Sequence, residues 1–294
     1  MKSGVKRTTP YKVISIIILV ILAILFLFPL YWIVTGAFKP TTDIYASQPV
    51  WWPSEWVTSN FEKLFTKRSA PLFEIGSLVA PTVPAAIRWL VNTVFMSVAA
   101  MLLTCITAAM AGYALAKKRF VGRTLLFSLI ICAMALPKQV ILIPLLKEMS
   151  ALKLYGSLWA VIFPTVGWPF GVFLMKQFCE GVPGEMLEAA RIDGASEART
   201  FTQIVVPLIK PGIGALAIFT FINSWNDYFM QLVMLPNSAN FTISLGIATL
   251  QGESSVDTGL LMAGAALAAV PIIIVFLIFQ KYFTQGITMG AVKG

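Results

Sequence analysis

WLVNTVFMSVAAMLLTCITAAMAGYAL, residues 89–115, runs without one acidic or basic side chain. A helix of about 20 apolar residues matches the hydrocarbon thickness of a bilayer, so this stretch reads as a membrane span. Five other runs share its character: Val13 to Val34, Thr124 to Leu146, Leu158 to Met175, Ile213 to Leu235 and Leu260 to Phe279. The run 158–175 is interrupted by Pro164, Gly167 and Pro169, and the run 213–235 by Asn223 and Asp227. Breaks at membrane depth face protein or a cavity. The expectation is an all-α polytopic membrane protein, with six spans in one transmembrane domain over residues 1–294.

Composition agrees, with 58% hydrophobic and 12% charged residues, and leaves no room for a large soluble domain. Lys2, Lys6, Arg7 and Lys12 precede the first run as they would in a signal peptide. That run is longer than a signal core of about 7 to 15 residues and no small-residue cleavage site follows it, so a retained helix is expected. Pro29, Pro137, Pro144, Pro164 and Pro271 are expected to kink their helices, while Gly167 and Gly171, and the Ala263-Gly264-Ala265-Ala266 patch, read as close-packing cues.

Lysine and arginine collect on cytoplasmic flanks. The N-terminus, the connection carrying Lys117, Lys118, Arg119 and Arg123, and the connection carrying Lys176, Arg191, Arg199 and Lys210 are the basic ones. Glu253 and Asp257 mark the fifth connection as external, and Lys281 and Lys293 keep the C-terminus inside with the N-terminus. The long segment from Lys39 to Arg88 is basic as well, but length weakens the rule there. The net charge of +9 thus lies at span ends, where membrane lipid is the expected partner and nucleic acid is not. Trp51, Trp52 and Trp56 read as interfacial anchors or as a docking patch for a solute-binding protein.

Catalytic chemistry has little to start from. The chain holds no histidine and no G-x-x-x-x-G-K-[ST] phosphate loop, so no metal site, no cofactor and no ATP hydrolysis by this chain are expected. Cys105, Cys132 and Cys179 fall in or beside spans and read as packing residues.

Between the fourth and fifth runs lies PGEMLEAARIDGASEAR, residues 183–199, a charged segment on the side assigned to the cytoplasm. Pro183 suits a first helical turn, and Glu185 and Glu188 suit the positive end of a helix dipole. Leu187, Ala190, Gly194 and Ala198 recur at helical spacing as a narrow small-residue face. Gly194 is read either as a bend between two short helices or as a place of close backbone approach to a partner.

Glu188-Ala189-Ala190, Gly194, Ile204 and Pro207 stand at the spacing of the EAA loop of ABC-importer permease subunits, with Val206 in place of the usual leucine. Asn92-Thr93, Tyr113-Ala114-Leu115-Ala116 with Arg119-Phe120, Pro137 with Ile143-Pro144-Leu145, Trp225-Asn226-Asp227 and the closing Gly290-Ala291-Val292-Lys293-Gly294 resemble the carbohydrate branch of that family, which includes the maltose-type permeases. The resemblance covers almost the whole chain. It implies a permease subunit in the bacterial inner membrane, paired with a second permease, two cytoplasmic ATPase subunits that bind ATP-Mg, and an extracellular solute-binding protein. It further implies that the 183–207 segment is a coupling loop seated in an ATPase cleft, with Glu188 as a polar anchor and Gly194 approached closely, and that the tail 290–294 inserts between the ATPase subunits.

Asp227 and Lys138 are ionisable groups within spans, where they cost at least about 2.5 kcal/mol unless paired or wet. Each reads as a structural pair or as part of a path. Asn223, Trp225, Asn226 and Asp227 together suit a sugar, with an aromatic face for stacking and amides and a carboxylate for hydroxyls. The alternatives are an importer for a phosphorylated glycerol or an acidic sugar, and a self-sufficient secondary transporter or channel, which inverted repeats would mark.

Overall fold

The computed structural model describes residues 10–72, 74–75, 78–251 and 257–291, with backbone alone for 74–75, 78–79 and 281–291. In chain order the elements begin with α1 (Pro10–Ala37), α2 (Thr41–Ile44) and α3 (Ser59–Thr66). Four short strands follow, β1 (Ser69–Pro71), β2 (Glu74–Ile75), β3 (Leu78–Val79) and β4 (Thr82–Pro84). Next come α4 (Ala85–Lys117), α5 (Arg123–Met134), α6 (Lys138–Ala151), α7 (Trp159–Val166) and α8 (Pro169–Glu180). The remainder is α9 (Gly184–Ile192), α10 (Glu197–Thr200), a π-helical turn Phe201–Val205, α11 (Val206–Leu208), α12 (Lys210–Asn226), α13 (Tyr228–Met234), α14 (Ile243–Leu250) and α15 (Thr258–Ala291).

Helices dominate, as the apolar runs require. Pro10–Ala37, Ala85–Lys117, Trp159–Glu180 and Thr258–Gln280 are each long and apolar enough to cross a membrane. Two bent pairs bring the number to as many as six if each pair counts as one span: α5 with α6, turned by 108°, and Glu197–Leu208 with α12, turned by 77°. The run 124–146 is therefore not a straight rod. Leu136 precedes Pro137, whose ring disfavours helical backbone there, and α6 restarts with Pro137 as its N-cap. The run 213–235 divides at Asp227. Pro29, Pro144, Pro164 and Pro271 stay inside helices. The glycine-rich tail departs from expectation too: α15 continues past Phe279 to Ala291, taking in Gly290, while Val292, Lys293 and Gly294 lie outside the described residues. So do Glu253 and the basic residues before Pro10.

The chain falls into two compact units, Met1–Arg68 with Leu250–Leu267, and Ser69–Thr249 with Ala268–Gly294. In the first unit the end of α1 is tied to the segment after it. Asn60 donates to the carbonyls of Ala37 and Lys39 at 3.0 and 2.9 Å, and the buried Lys39 ammonium donates to Val50 and lies 4.0 Å from the Trp32 ring centre. Lys63 pairs with Asp257 at 3.0 Å. Trp51, Trp52 and Trp56 remain exposed, Trp52 and Trp56 packing edge to face at 5.3 Å.

In the second unit α4 is the spine. One stripe of it, including Trp89, Met96, Ala100, Thr104, Ala108 and Gly112, is buried, while Leu102, Ile106 and Met110 on the opposite side are exposed as lipid-facing residues would be. Against the stripe pack α7, α8 and α12. At Gly112 backbone meets backbone: a Cβ there would stand 2.7 Å from the backbone of Met175 and Lys176 in α8. Small residues admit such contacts, and with no hydrophobic drive between helices in lipid, close packing supplies much of the association. The only strands among the described residues form two short antiparallel ladders, Ser69↔Pro84 to Pro71↔Thr82 and Glu74↔Val79 with Ile75↔Leu78, which the all-helical reading did not foresee.

Candidate functional site

Isolated helices as short as α9 are marginal in water, so what orders it is packing. Leu187 and Ala190 are buried toward the protein, while Glu185, Met186, Glu188, Ala189 and Ile192 face outward, Ile192 with 86% of its surface exposed. Pro183 caps the helix rather than entering its first turn, and Glu185 occupies that turn. Glu188 makes no hydrogen bond or ion pair among the described residues. The row of four small residues read from the sequence stops at Ala190. Gly194 and Ala198 lie exposed, because the chain turns at Gly194.

That turn explains the glycine. Gly194 has φ +74°, Ala195 donates to the Ala190 carbonyl at 2.9 Å and Gly194 to that of Arg191 at 3.1 Å, the paired bonds of a Schellman ending. Gly194 thus makes a bend between two short helices, and a Cβ there would meet nothing within 4 Å in this chain. Left-handed backbone costs an L-residue roughly 1–2 kcal/mol, less for asparagine. Gly194→Asn is therefore expected to leave trypsin cleavage at Arg191 and Arg199 near the wild-type rate and Gly194→Val to raise it clearly. Asparagine and valine behaving alike would point to a steric contact instead.

Beyond the turn Ser196 caps α10, accepting from the Arg199 amide at 3.3 Å. Glu197 is ion-paired to Lys118, lies 3.8 Å from Arg191, and accepts the Tyr113 hydroxyl at 3.2 Å. The Lys118 hydrogen bond, with the charges and hydroxyl around it, holds the Glu197 carboxyl below its ordinary range. On the other side of α9, Lys117 donates to the carbonyls of Val182 at 2.6 Å and Glu180 at 3.2 Å. The π-helical turn Phe201–Val205 then runs into Pro207. A proline in a regular helix collides with the carbonyl four residues back, and the widened turn before it gives that carbonyl room. Buried Val205 and Ile209, with Val182 and Leu187, join Cys105, Tyr113, Met175 and Leu216 in one hydrophobic cluster. The segment 183–208 is thus two-faced, its inner side continuous with the core of α4, α8 and α12.

The residues read as a path are only partly together. Trp225 is 1% exposed and packs against Phe221 at 5.5 Å, so it belongs to the core and offers no face to a solute. Asn223 and Asn226 are exposed on α12 and donate to the carbonyls of Phe219 and Ile222, each at 3.0 Å. Asp227 and Lys138 pair with each other at 3.1 Å, their side chains 18% and 52% exposed. The pair joins the breaks of two apolar runs, and Asp227 also accepts the Met230 amide at 3.3 Å, capping α13. Asp227→Asn retains that cap. With Lys138 half exposed, it is expected to lower stability by only about 0.2–1 kcal/mol, and Asp227→Asn with Lys138→Gln should recover part of the loss in thermal melts of the solubilised protein. Additive losses would mean the pair contributes nothing.

Two further sets of contacts had no counterpart in the sequence, where Asn92-Thr93 stood only as part of a resemblance. Asn92 and Thr93 pin a loop: Asn92 donates to Ala239 at 3.1 Å and Phe241 at 2.9 Å, and Thr93 accepts the Ile243 amide at 2.8 Å. Glu197 had no signal beyond being one acid among several, its partners Tyr113 and Lys118 lying far upstream.

Comparison with known proteins adds the family. A family model described as binding-protein-dependent transport system inner membrane component matches residues 108–289. The chain is 34% identical over 275 residues to the arabinooligosaccharides transport system permease protein AraQ of Halalkalibacterium halodurans, covering 93% of each. It is 32% identical over 284 residues to the protein of that name in Bacillus subtilis, with 97% of this chain and 96% of that one covered. Among solved structures, a bacterial ABC transporter involved in the import of the acidic polysaccharide alginate has a chain of similar fold, with TM-score 0.76, 21% identity, and coverage of 96% and 99%.

Proposed function

The chain belongs to the binding-protein-dependent transport system inner membrane component family, and from that premise we propose that it carries a sugar or oligosaccharide, handed over by an extracellular solute-binding protein, through an ATP-driven importer. It is a transport component and not an enzyme, and a multi-pass integral membrane protein. Its place is the bacterial inner membrane, beside a second permease of different sequence and two cytoplasmic ATPase subunits that hold ATP-Mg. The distribution of lysine and arginine supports a cytoplasmic position for segment 183–208 and for both termini.

The observation that carries this reading is the two-faced segment itself. Leu187, Val205 and Ile209 fasten it to the helices, while Glu188, Ala189, Met186 and Ile192 present an outer surface of one carboxylate among apolar groups. Closure of an ATPase pair pushing on that surface moves α4, α8 and α12 through the shared cluster. ATP biases the helices only insofar as these contacts differ in free energy between inward-open and outward-open states. Glu188 is the polar anchor, Gly194 sets the bend, and Gly290 to Gly294 form a secondary ATPase contact. Asn223, Asn226 and Asp227 are the path residues that remain after Trp225 is withdrawn, since amides exposed on an apolar helix belong beside water or protein rather than lipid. Exposed Trp51, Trp52 and Trp56 suit headgroup anchoring and binding-protein docking alike.

Reconstitution tests the proposal. The chain is expected to co-purify with an ATPase and a second permease, and a cysteine at Ala189 to crosslink to the ATPase. Solute accumulation by the purified chain alone in vesicles would overturn it, as would labelling of that cysteine from outside intact cells.

A further inference from the structure

Building on the coupling role just proposed for segment 183–208, we propose that Glu197 is a positioning residue which clamps that segment to the end of α4, so that movement of α9 is delivered to the spine of the fold. Lys117 and Lys118 are adjacent at the end of α4, and they hold opposite ends of the same segment. Lys117 holds the Val182 carbonyl just before α9, and Lys118 holds the Glu197 carboxylate just after the Gly194 turn. Helix α9 hangs between the two ties. Tyr113, one turn back on α4, donates its hydroxyl to Glu197, and its ring packs 5.4 Å from Phe201 and 5.2 Å from the Lys118 ammonium.

A partly exposed ion pair adds little to stability. Three groups, Lys118, Tyr113 and Arg191, converging on one carboxylate just past the Gly194 turn do something else: they remove its freedom to swing on the glycine. Without Glu197, the inner hydrophobic side still holds Leu187, but the corner at residues 194–197 yields under load and part of the stroke is lost. The surface facing the ATPase is untouched, because Glu188, Ala189 and Ile192 lie on α9 before the turn. Arg191, the longest of the three contacts at 3.8 Å, reports on geometry and is not required.

The test uses the full transporter with its ATPases, partner permease and binding protein in proteoliposomes, and reads solute moved per ATP hydrolysed. Glu197→Gln and Lys118→Gln are each expected to lower that ratio roughly fivefold, the size of coupling found within one hydrogen-bonded network. The reversed pair, Lys118→Glu with Glu197→Lys, is expected to recover most of it. Parallel loss of uptake and hydrolysis, an unchanged ratio, or a reversed pair no better than the single variants would each overturn the clamp. The parent reading fails by a different result, sugar accumulation by the wild-type chain without any ATPase.

Discussion

Ala189→Arg is expected to lower ATP-driven uptake by about a hundredfold, with the chain still inserted and folded. Ala189 is exposed, so the substitution displaces nothing within this chain. Its weight falls on the complex. A partner surface that closes over Glu188, Ala189 and Ile192 has to exclude water from an apolar centre, and an arginine there would be desolvated with only Glu185, one turn back on α9, to offset its charge. Burying such a charge costs several kcal/mol, and 1.4 kcal/mol is already tenfold in affinity. Ala189→Ser, which keeps the volume, is expected within a few-fold of wild type. The measurements are uptake and ATPase retention on an affinity-tagged chain, with melting of the solubilised protein as the control. Full uptake with arginine at 189 would remove the outer face of α9 from the mechanism.

Gly112→Leu is expected to give no assembled protein at all. The argument is steric, since the first side-chain carbon would stand 2.7 Å from Met175 and Lys176 backbone atoms, which have no rotamer by which to move aside. Overpacking a core costs about 1–3 kcal/mol when side chains can adjust, and more when a helix must be pushed off its neighbour. Helix α8 carries the cluster that anchors the coupling segment, so the displacement would reach Leu187 as well. Gly112→Ala should already lower the melting temperature and the yield. Gly167→Ala serves as the comparison, because the added carbon there comes no nearer than 3.8 Å to its neighbour and should cost little.

These two glycines show where sequence reading reached its limit. Gly167 and Gly171 stand at the spacing associated with close helix packing, yet among the described glycines the tightest approach to another helix's backbone is at Gly112, which no motif marks. Spacing says that small residues share a face; it does not say which neighbour crosses there. Four of the runs were legible as helices long and apolar enough to cross a membrane, because bilayer thickness imposes a length on apolar runs. The interruptions of the other two were legible as residues, Pro137 and Asp227 among them, but not as angles, since a bend depends on what takes up the freed backbone groups. Trp225 was misplaced for a simpler reason. Asn223 and Asn226 are three residues apart and share a face, whereas residue 225 turns to the far side of the same helix. The Glu197 contacts join positions 84 residues apart in the case of Tyr113, and no local pattern encodes such a meeting. The strands in 69–84 are two or three residues long and too brief for alternation to register.

The elbow at Pro137 settles a matter of solvent. Helix α5 is about 18 Å long and α6 about 21 Å, and after a 108° turn their lengths do not add along one axis. Proline brings no amide hydrogen to the joint; Ala135 and Leu136 turn back to the carbonyls of Cys132 and Ala133 at 3.1 and 3.3 Å, while the Met134 carbonyl finds no backbone donor among the described residues. Hydrocarbon tails have none to give; water or another polypeptide does. No residue of α5 is buried in the single chain. Exposed Leu125, Leu126 and Leu129 suit lipid along this flank; the joint itself does not.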